Sequence, residues 1–116
     1  MKVISRALLR KLWERPGCAD AKQPLLAWFK EVEAATWKSP AEVQQLYRSA
    51  DVVGDGRIVF NIAGNKYRLV VWVKYSIELV LIKWAGTHDD YDSIDVTKVG
   101  LPAAKKANKK KTRSRP

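Results

Sequence analysis

The chain has little of what compact catalytic sites are usually made from. It contains one cysteine and one histidine among 116 residues. A single cysteine excludes an internal disulfide and a zinc site built on cysteines. Cys18 lies in a Pro-Gly loop and reads as a free thiol in a reducing cytosol. One histidine leaves a single side chain that titrates near neutrality unperturbed. No apolar run reaches the ~18 residues of a membrane span, so no membrane is expected as a partner. The opening MKVIS continues into an arginine-studded amphipathic stretch, unlike a signal peptide. The expected location is cytoplasmic.

Acid is missing from residues 101–116, which carry Lys105, Lys106, Lys109, Lys110, Lys111, Arg113 and Arg115. The formal net charge is +10; without these seven cations, 15 basic residues stand against 12 acidic ones. Most of the excess is therefore in the tail. With almost no apolar surface to bury, the tail is expected to be disordered and to favour polyanions through counterion release. Residues 1–100 are long enough for one domain with one core.

What the chain does have is a patterned run from Arg57 to Asp92. Ile58, Phe60 and Ile62 alternate with Arg57, Val59, Asn61 and Ala63, the period of a half-buried strand. Gly64-Asn65 supplies residues that tolerate positive φ, as a two-residue hairpin loop requires. That loop pairs Ile62 with Tyr67, Asn61 with Arg68 and Phe60 with Leu69. A slip of one residue would turn Leu69 and Val71 to the polar side, so the pattern resists it. A four-residue loop, Tyr75 to Glu78, is then expected to pair Val73 with Val80, Val71 with Ile82 and Leu69 with Trp84. On the opposite face the same register sets Lys83 beside Val70 and Ala85 beside Arg68. Asn61, Lys66, Arg68 and Lys83 would share that face with an apolar strip of Val59, Val70, Trp72 and Leu81. Such strips mark interaction surfaces; a segment of a partner protein or the start of the tail at Leu101 is the expected cover.

Thr87-His88-Asp89-Asp90 matches a capping box, with Thr87 as N-cap and Asp90 three residues on. A short helix through Tyr91 and Ile94 should follow, with His88 at its first position. The helix terminus there opposes a charged imidazole, whereas Asp89, Asp90, Asp92 and Asp95 favour one. The protonation state of His88 is left open by this balance.

Before the sheet the pattern is helical. Lys2-Val3-Ile4 is a short candidate strand, and Ser5 is placed to cap a helix carrying Leu8, Leu9, Leu12 and Trp13, stopped by Pro16-Gly17. A second helix, about residues 22–37, buries Leu25, Leu26, Phe29 and Val32. Ser39-Pro40-Ala41-Glu42 starts a third, with Val43, Leu46 and Tyr47 as its apolar stripe. Asp51 to Gly56 reads as a turn-rich link. The expected class is α+β, with N-terminal helices on one face of a small, mainly antiparallel sheet. The other face is left for work.

The segments RIVFNIAGNKYRLVV and GTHDDYD, together with SPAEVQQLYRSADVVGDGR before them, resemble the HigB toxins, a branch of the RelE/ParE superfamily of bacterial toxin–antitoxin systems. The resemblance covers about residues 1–98. It implies a ribosome-associated mRNA endoribonuclease silenced by a cognate HigA-like helix-turn-helix antitoxin. It also places Asn61, Asn65, Lys66 and Arg68 in one functional motif, and Thr87, His88 and Tyr91 in the other.

The residues suit that chemistry. A metal-independent ribonuclease can use the RNA's own 2′-OH to attack the adjacent phosphate, leaving a 2′,3′-cyclic phosphate and a 5′-OH. That requires in-line positioning, a base, an acid and a cation for the developing phosphorane charge. Arg68 is the expected clamp, His88 the leading base or acid, and Tyr91 a partner in proton transfer. Asn61, Asn65, Lys66 and Lys83 are expected to bind RNA. No cofactor is expected, and the acidic cluster 89–95 lacks the histidine partners or calcium-loop pattern of a metal site. The alternative is a non-enzymatic binder: a ParE-like poison of a protein target, or an RNA-binding module without turnover. The acidic run beside His88 is the feature that encourages it.

Overall fold

The computed structural model describes residues 1–100; the basic tail, with its expected disorder, lies outside them. The elements are β1 (Lys2–Ile4), α1 (Ala7–Trp13), α2 (Lys22–Ala34), α3 (Pro40–Leu46), β2 (Asp51–Val52), β3 (Arg57–Ile62), β4 (Tyr67–Lys74), β5 (Leu79–Thr87) and α4 (His88–Tyr91). The strands form one five-stranded sheet in the order β1-β5-β4-β3-β2, antiparallel except for the β1–β5 pair. This is the expected α+β class.

The alternating residues of β3 and β4 meet the helices on one sheet face. Phe60, Leu69 and Val71 join Leu9 and Leu12 of α1, Leu25 and Val32 of α2, and Val43 of α3 in one buried cluster. Phe60 is its centre: Trp28 and Tyr47 approach it edge-on, with ring centroids 5.4 and 5.0 Å away. Edge-to-face contacts of this kind add about 0.5–1.5 kcal/mol to simple burial.

The β3–β4 register is the expected one, with Asn61 opposite Arg68 and Phe60 opposite Leu69. The turn between them differs by one residue. Ala63 (φ 56°) and Gly64 (φ 71°) take the left-handed conformation, and Asn65 does not. Alanine bears a cost of roughly 1–2 kcal/mol there, which the register of the strands imposes. The next loop is the expected Tyr75 to Glu78, a single 3₁₀ turn ending on a left-handed Glu78.

Beyond it the expected register fails. Val73 faces Val80 and Val71 faces Ile82, but Val70 faces Trp84, Leu69 faces Ala85 and Arg68 faces Gly86. Lys83 is an extra residue, a β-bulge, and every side chain after it changes face. Trp84 therefore leaves the core face on which alternation places it. Ala85 takes its place against the core.

Smaller corrections have local causes. Ser5 does not cap α1: its φ is 74° and no side-chain capping bond is made there. α2 stops at Ala34, three residues before 37, and Trp37 is buried beyond its end. Leu26 is half-buried and Trp28 takes the deeper position. α3 has the expected Ser39 cap, but Leu46 is 61% exposed and not part of a buried stripe. Asp51-Val52, within the expected link, pairs with Val59 and Ile58 as an edge strand.

The far sheet face is not bare. Val59 and Val70 are 1% and 0% exposed, although neither belongs to the helical core. Arg57 is 4% exposed, and its Nη1 donates to the carbonyls of Val96 and Val99 at 3.0 and 2.7 Å. Lys83 Nζ donates to the Gly100 carbonyl at 3.4 Å. Residues 96–100 thus lie over the Trp72–Leu81 end of the expected strip. The cover is the chain's own segment just before Leu101; Leu101 itself lies outside the described residues. Arg57→Ala removes both donors, and a cost of about 1–3 kcal/mol is expected from the carbonyls left unpaired. Amide exchange should accelerate in residues 96–100 and stay slow in the core strands; an unchanged exchange pattern contradicts the clasp.

Candidate functional site

The part of the far face that residues 96–100 leave free lies where β4, β5 and α4 meet. Arg68 is half-buried in β4, between Asn61 on β3 and Gly86 on β5. Its Nη2 donates to Asn65 Oδ1 at 3.0 Å, and its guanidinium carbon lies 5.1 Å from the Tyr91 ring centroid. No carboxylate pairs with it among the described residues, and its buried Nε has no hydrogen-bond partner among them. The charge is held in place by an amide and a ring and is not neutralised.

α4 presents the other two expected catalytic side chains. Thr87 Oγ1 accepts from the Asp90 amide at 3.1 Å, and Asp90 Oδ2 accepts from the Thr87 amide at 3.4 Å, the expected capping box. The His88 amide donates to the Lys66 carbonyl at 3.1 Å, which ties the start of the helix to the hairpin. His88 is half-buried, and its Nδ1 is buried with no partner among the described residues. Arg15 Nη1 donates to Asp90 Oδ2 at 2.7 Å, which anchors α4 to the loop after α1. The Arg15 bond, outweighing desolvation, holds the Asp90 carboxyl below its ordinary value. Cap and anchor are therefore present at neutral pH, and are lost only as acid protonates Asp90 below the usual carboxylate range.

Of the expected RNA-binding residues, the structure gathers Asn61 and Asn65 beside Arg68. Asn61 Nδ2 donates to the Ser49 carbonyl at 3.2 Å, and its Oδ1 is buried without a partner among the described residues. Lys66 is drawn elsewhere. It forms an ion pair with Asp20, which also accepts from the Tyr67 hydroxyl. Lys66 was expected on the Arg68 face because it alternates with Arg68; its turn position lets the side chain swing to a carboxylate on the helical side. The bonds from Lys66 and Tyr67 hold Asp20 below its ordinary value.

Lys83 is separated from Arg68 as well. The bulge sets it level with Val70 and Val71, and it lines a recess with Asp55, Arg57, Trp72, Leu81 and Thr97. Burial, then the neighbouring Arg57 charge, lowers its pKa.

One aromatic side chain enters this face unannounced. Trp84 is half-buried, with its ring centroid 6.1 Å from that of Tyr91. Its indole leans over Gly86, where an added Cβ would stand 2.6 Å from ring atoms Cη2 and Cζ2. The one sign of this in the sequence is Gly86 itself, since glycine inside a strand marks bulges and close approaches. Arg15 and Asp20 likewise gave no periodic signal, and the alternation that includes Arg57 does not reveal its partners, because each acts across a distance in sequence.

Among the described residues, no three His, Cys, Asp or Glu side chains gather to hold a metal ion, and no helix is long and apolar enough to cross a membrane. A comparison with curated proteins finds no match. The family model of HigB toxin, the RelE-like toxic component of a toxin–antitoxin system, matches residues 21–94. That span runs from the start of α2 through the hairpin and β5 to just past α4, and so includes Arg68, Trp84, His88 and Tyr91. The chain belongs to the HigB family of RelE-like toxins.

Proposed function

We propose that this toxin is a metal-independent mRNA endoribonuclease acting on ribosome-bound mRNA by 2′-OH attack. The observation that carries the reading is the state of Arg68: a half-buried guanidinium, braced by Asn65 and Tyr91 and free of any carboxylate among the described residues. Arginine in that state is a ready receptor for phosphate, since its planar fork binds two oxygens at once. Its charge grows in value as the phosphorane forms, which is what lowers the barrier.

His88, with an unpartnered Nδ1, supplies the proton-transfer group. Tyr91, whose ring lies against the Arg68 guanidinium, positions the clamp and is the candidate partner in proton transfer. Asn61 and Asn65 orient the RNA backbone. Lys66 and Lys83 contribute field and outer phosphate contacts, because one is committed to Asp20 and the other lies in the Arg57 recess. A toxin of this family has a cognate antitoxin; a HigA-like helix-turn-helix protein is the partner we infer.

Arg68→Ala and His88→Ala are each expected to lower cleavage by about 10²-fold or more and to abolish growth arrest, with the circular dichroism spectrum unchanged. Tyr91→Phe should have a smaller, measurable effect. Primer extension on mRNA after induction reads the outcome. Wild-type cleavage by both alanine variants contradicts the site, and growth arrest without cleaved mRNA makes the protein a non-enzymatic binder.

The tail generates a separate expectation. Deleting residues 101–116 removes seven cations, so RNA or ribosome association should weaken and its salt dependence flatten. Cut sites should not change, because no residue assigned to chemistry lies beyond Tyr91. Normal association with altered cut sites contradicts this division between tail and sheet.

A further inference from the structure

A tryptophan inside a strand of alternating apolar residues normally belongs in the core, where its burial contributes most. Trp84 is held out of it. The extra residue at Lys83 rotates Trp84 onto the face of Arg68, and Ala85 fills the core position instead. The displaced indole is not left to solvent. It lies against Gly86, whose missing side chain makes room for it, and beside Tyr91, whose ring also carries the Arg68 guanidinium. The result is a row of Trp84, Tyr91 and Arg68: two aromatic rings and an unneutralised cation, with His88 three residues before Tyr91 on the same short helix.

We propose that Trp84 is the stacking platform for a nucleobase of the bound RNA, and that it sets base preference next to the cut. This rests on the reading of the face as an RNA site. Unpaired RNA bases are held by stacking on aromatic side chains alongside cations that track the phosphates, and each such stack is worth about 1–3 kcal/mol. Trp84 pairs with Val70, two residues along the sheet from the Arg68–Gly86 pair. That offset is about 7 Å, a separation suited to a clamped phosphate and the face of a neighbouring base. An indole overlaps a two-ring purine more fully than a one-ring pyrimidine, so purines are preferred. Trp84 itself moves no proton; it is a positioning residue.

The test uses the full chain and short single-stranded oligoribonucleotides, 2′-O-methylated throughout so that they bind without being cut. One set is all-adenine, one all-uracil, and one carries a single abasic site stepped along an adenine strand. Trp84→Leu keeps apolar bulk but removes the π face, and Trp84→Phe keeps a smaller one. Trp84→Leu is expected to weaken adenine-strand binding about tenfold or more, with Phe recovering part of the loss and uracil strands less affected. At one abasic position the wild type and Trp84→Leu should bind alike. On mRNA, the leucine variant should spread its cuts over more base contexts. Equal affinity of wild type and Trp84→Leu for adenine strands overturns the proposal. So does a loss that is the same at every abasic position, which marks a structural effect. If the wild type stacks the base as described but mRNA is never cut, the nuclease reading falls and the stacking role stands.

Discussion

The arrangement of the free sheet face follows from the backbone of β5 and its one residue too many. A strand has only two sides, so an inserted residue that stays in the ladder exchanges them for everything downstream. At Lys83 that exchange sends Trp84 and Gly86 to the side of Arg68 and turns Ala85 against the core. It also fixes where the strand ends. Thr87 comes opposite Tyr67, close enough to the hairpin for the His88 amide to reach the Lys66 carbonyl. α4 starts from that bond, and His88 and Tyr91 take their places from α4. Without the bulge, the Arg68 neighbour on β5 would be Ala85, and the space now shared by Trp84, Gly86 and Tyr91 would not exist.

Electrostatics then distinguishes the cations that fasten one part of the structure to another from Arg68, which is braced by an amide and a ring. Lys66 and Arg15 are both near this corner, and both are committed: Lys66 to Asp20, Arg15 to Asp90. Each pair is exposed, so its direct contribution to stability is small. Its effect is geometric, because it joins the helical layer to the hairpin and to α4. Arg57 is committed differently, to two carbonyls of residues 96–99. Arg68 is held by the Asn65 amide and the Tyr91 ring, and its Nε has no partner among the described residues. A guanidinium already paired with a carboxylate must give it up to take a phosphate; one braced by an amide and an aromatic face does not.

Local signals in the sequence were legible to the residue. The alternation of Ile58, Phe60 and Ile62 with the matching run from Tyr67 fixed the β3–β4 register. The Thr87–Asp90 capping box and the Ser39-Pro40 helix start are where their side chains placed them. Failures occurred where a long-range partner overrode a local rule. Lys66 alternates with Arg68, yet Asp20, distant in sequence, takes its ammonium. Arg57 alternates with the apolar residues of its strand and so falls on the sheet face left open, yet residues 96–99 bury it. Ser5 is a good capping residue in composition, but its backbone turns left-handed where the chain passes from β1 to α1. The bulge belongs to the same class: Ile82-Lys83-Trp84 scans as regular alternation, and only packing of Ala85 against the core and of Trp84 over Gly86 makes the irregular ladder the better one.

The clasp by residues 96–100 divides the far face into two unequal parts. At the Trp72–Leu81 end, the apolar surface expected to await a partner is already covered in part, and Val59 and Val70 beside it are fully buried. At the Arg68 end no such cover crosses the row of Trp84, Tyr91 and Arg68 among the described residues. The uncovered part is small: one braced guanidinium, one tilted indole and the tyrosine ring between them. The uncovered corner also carries polar atoms with no partner of their own among the described residues. Asn61 Oδ1, Arg68 Nε and His88 Nδ1 are each buried and unpaired among the described residues. Buried polar atoms without partners cost stability; of the four such atoms among the described residues, three lie at this corner of the sheet and the fourth, Trp28 Nε1, is in the helical core.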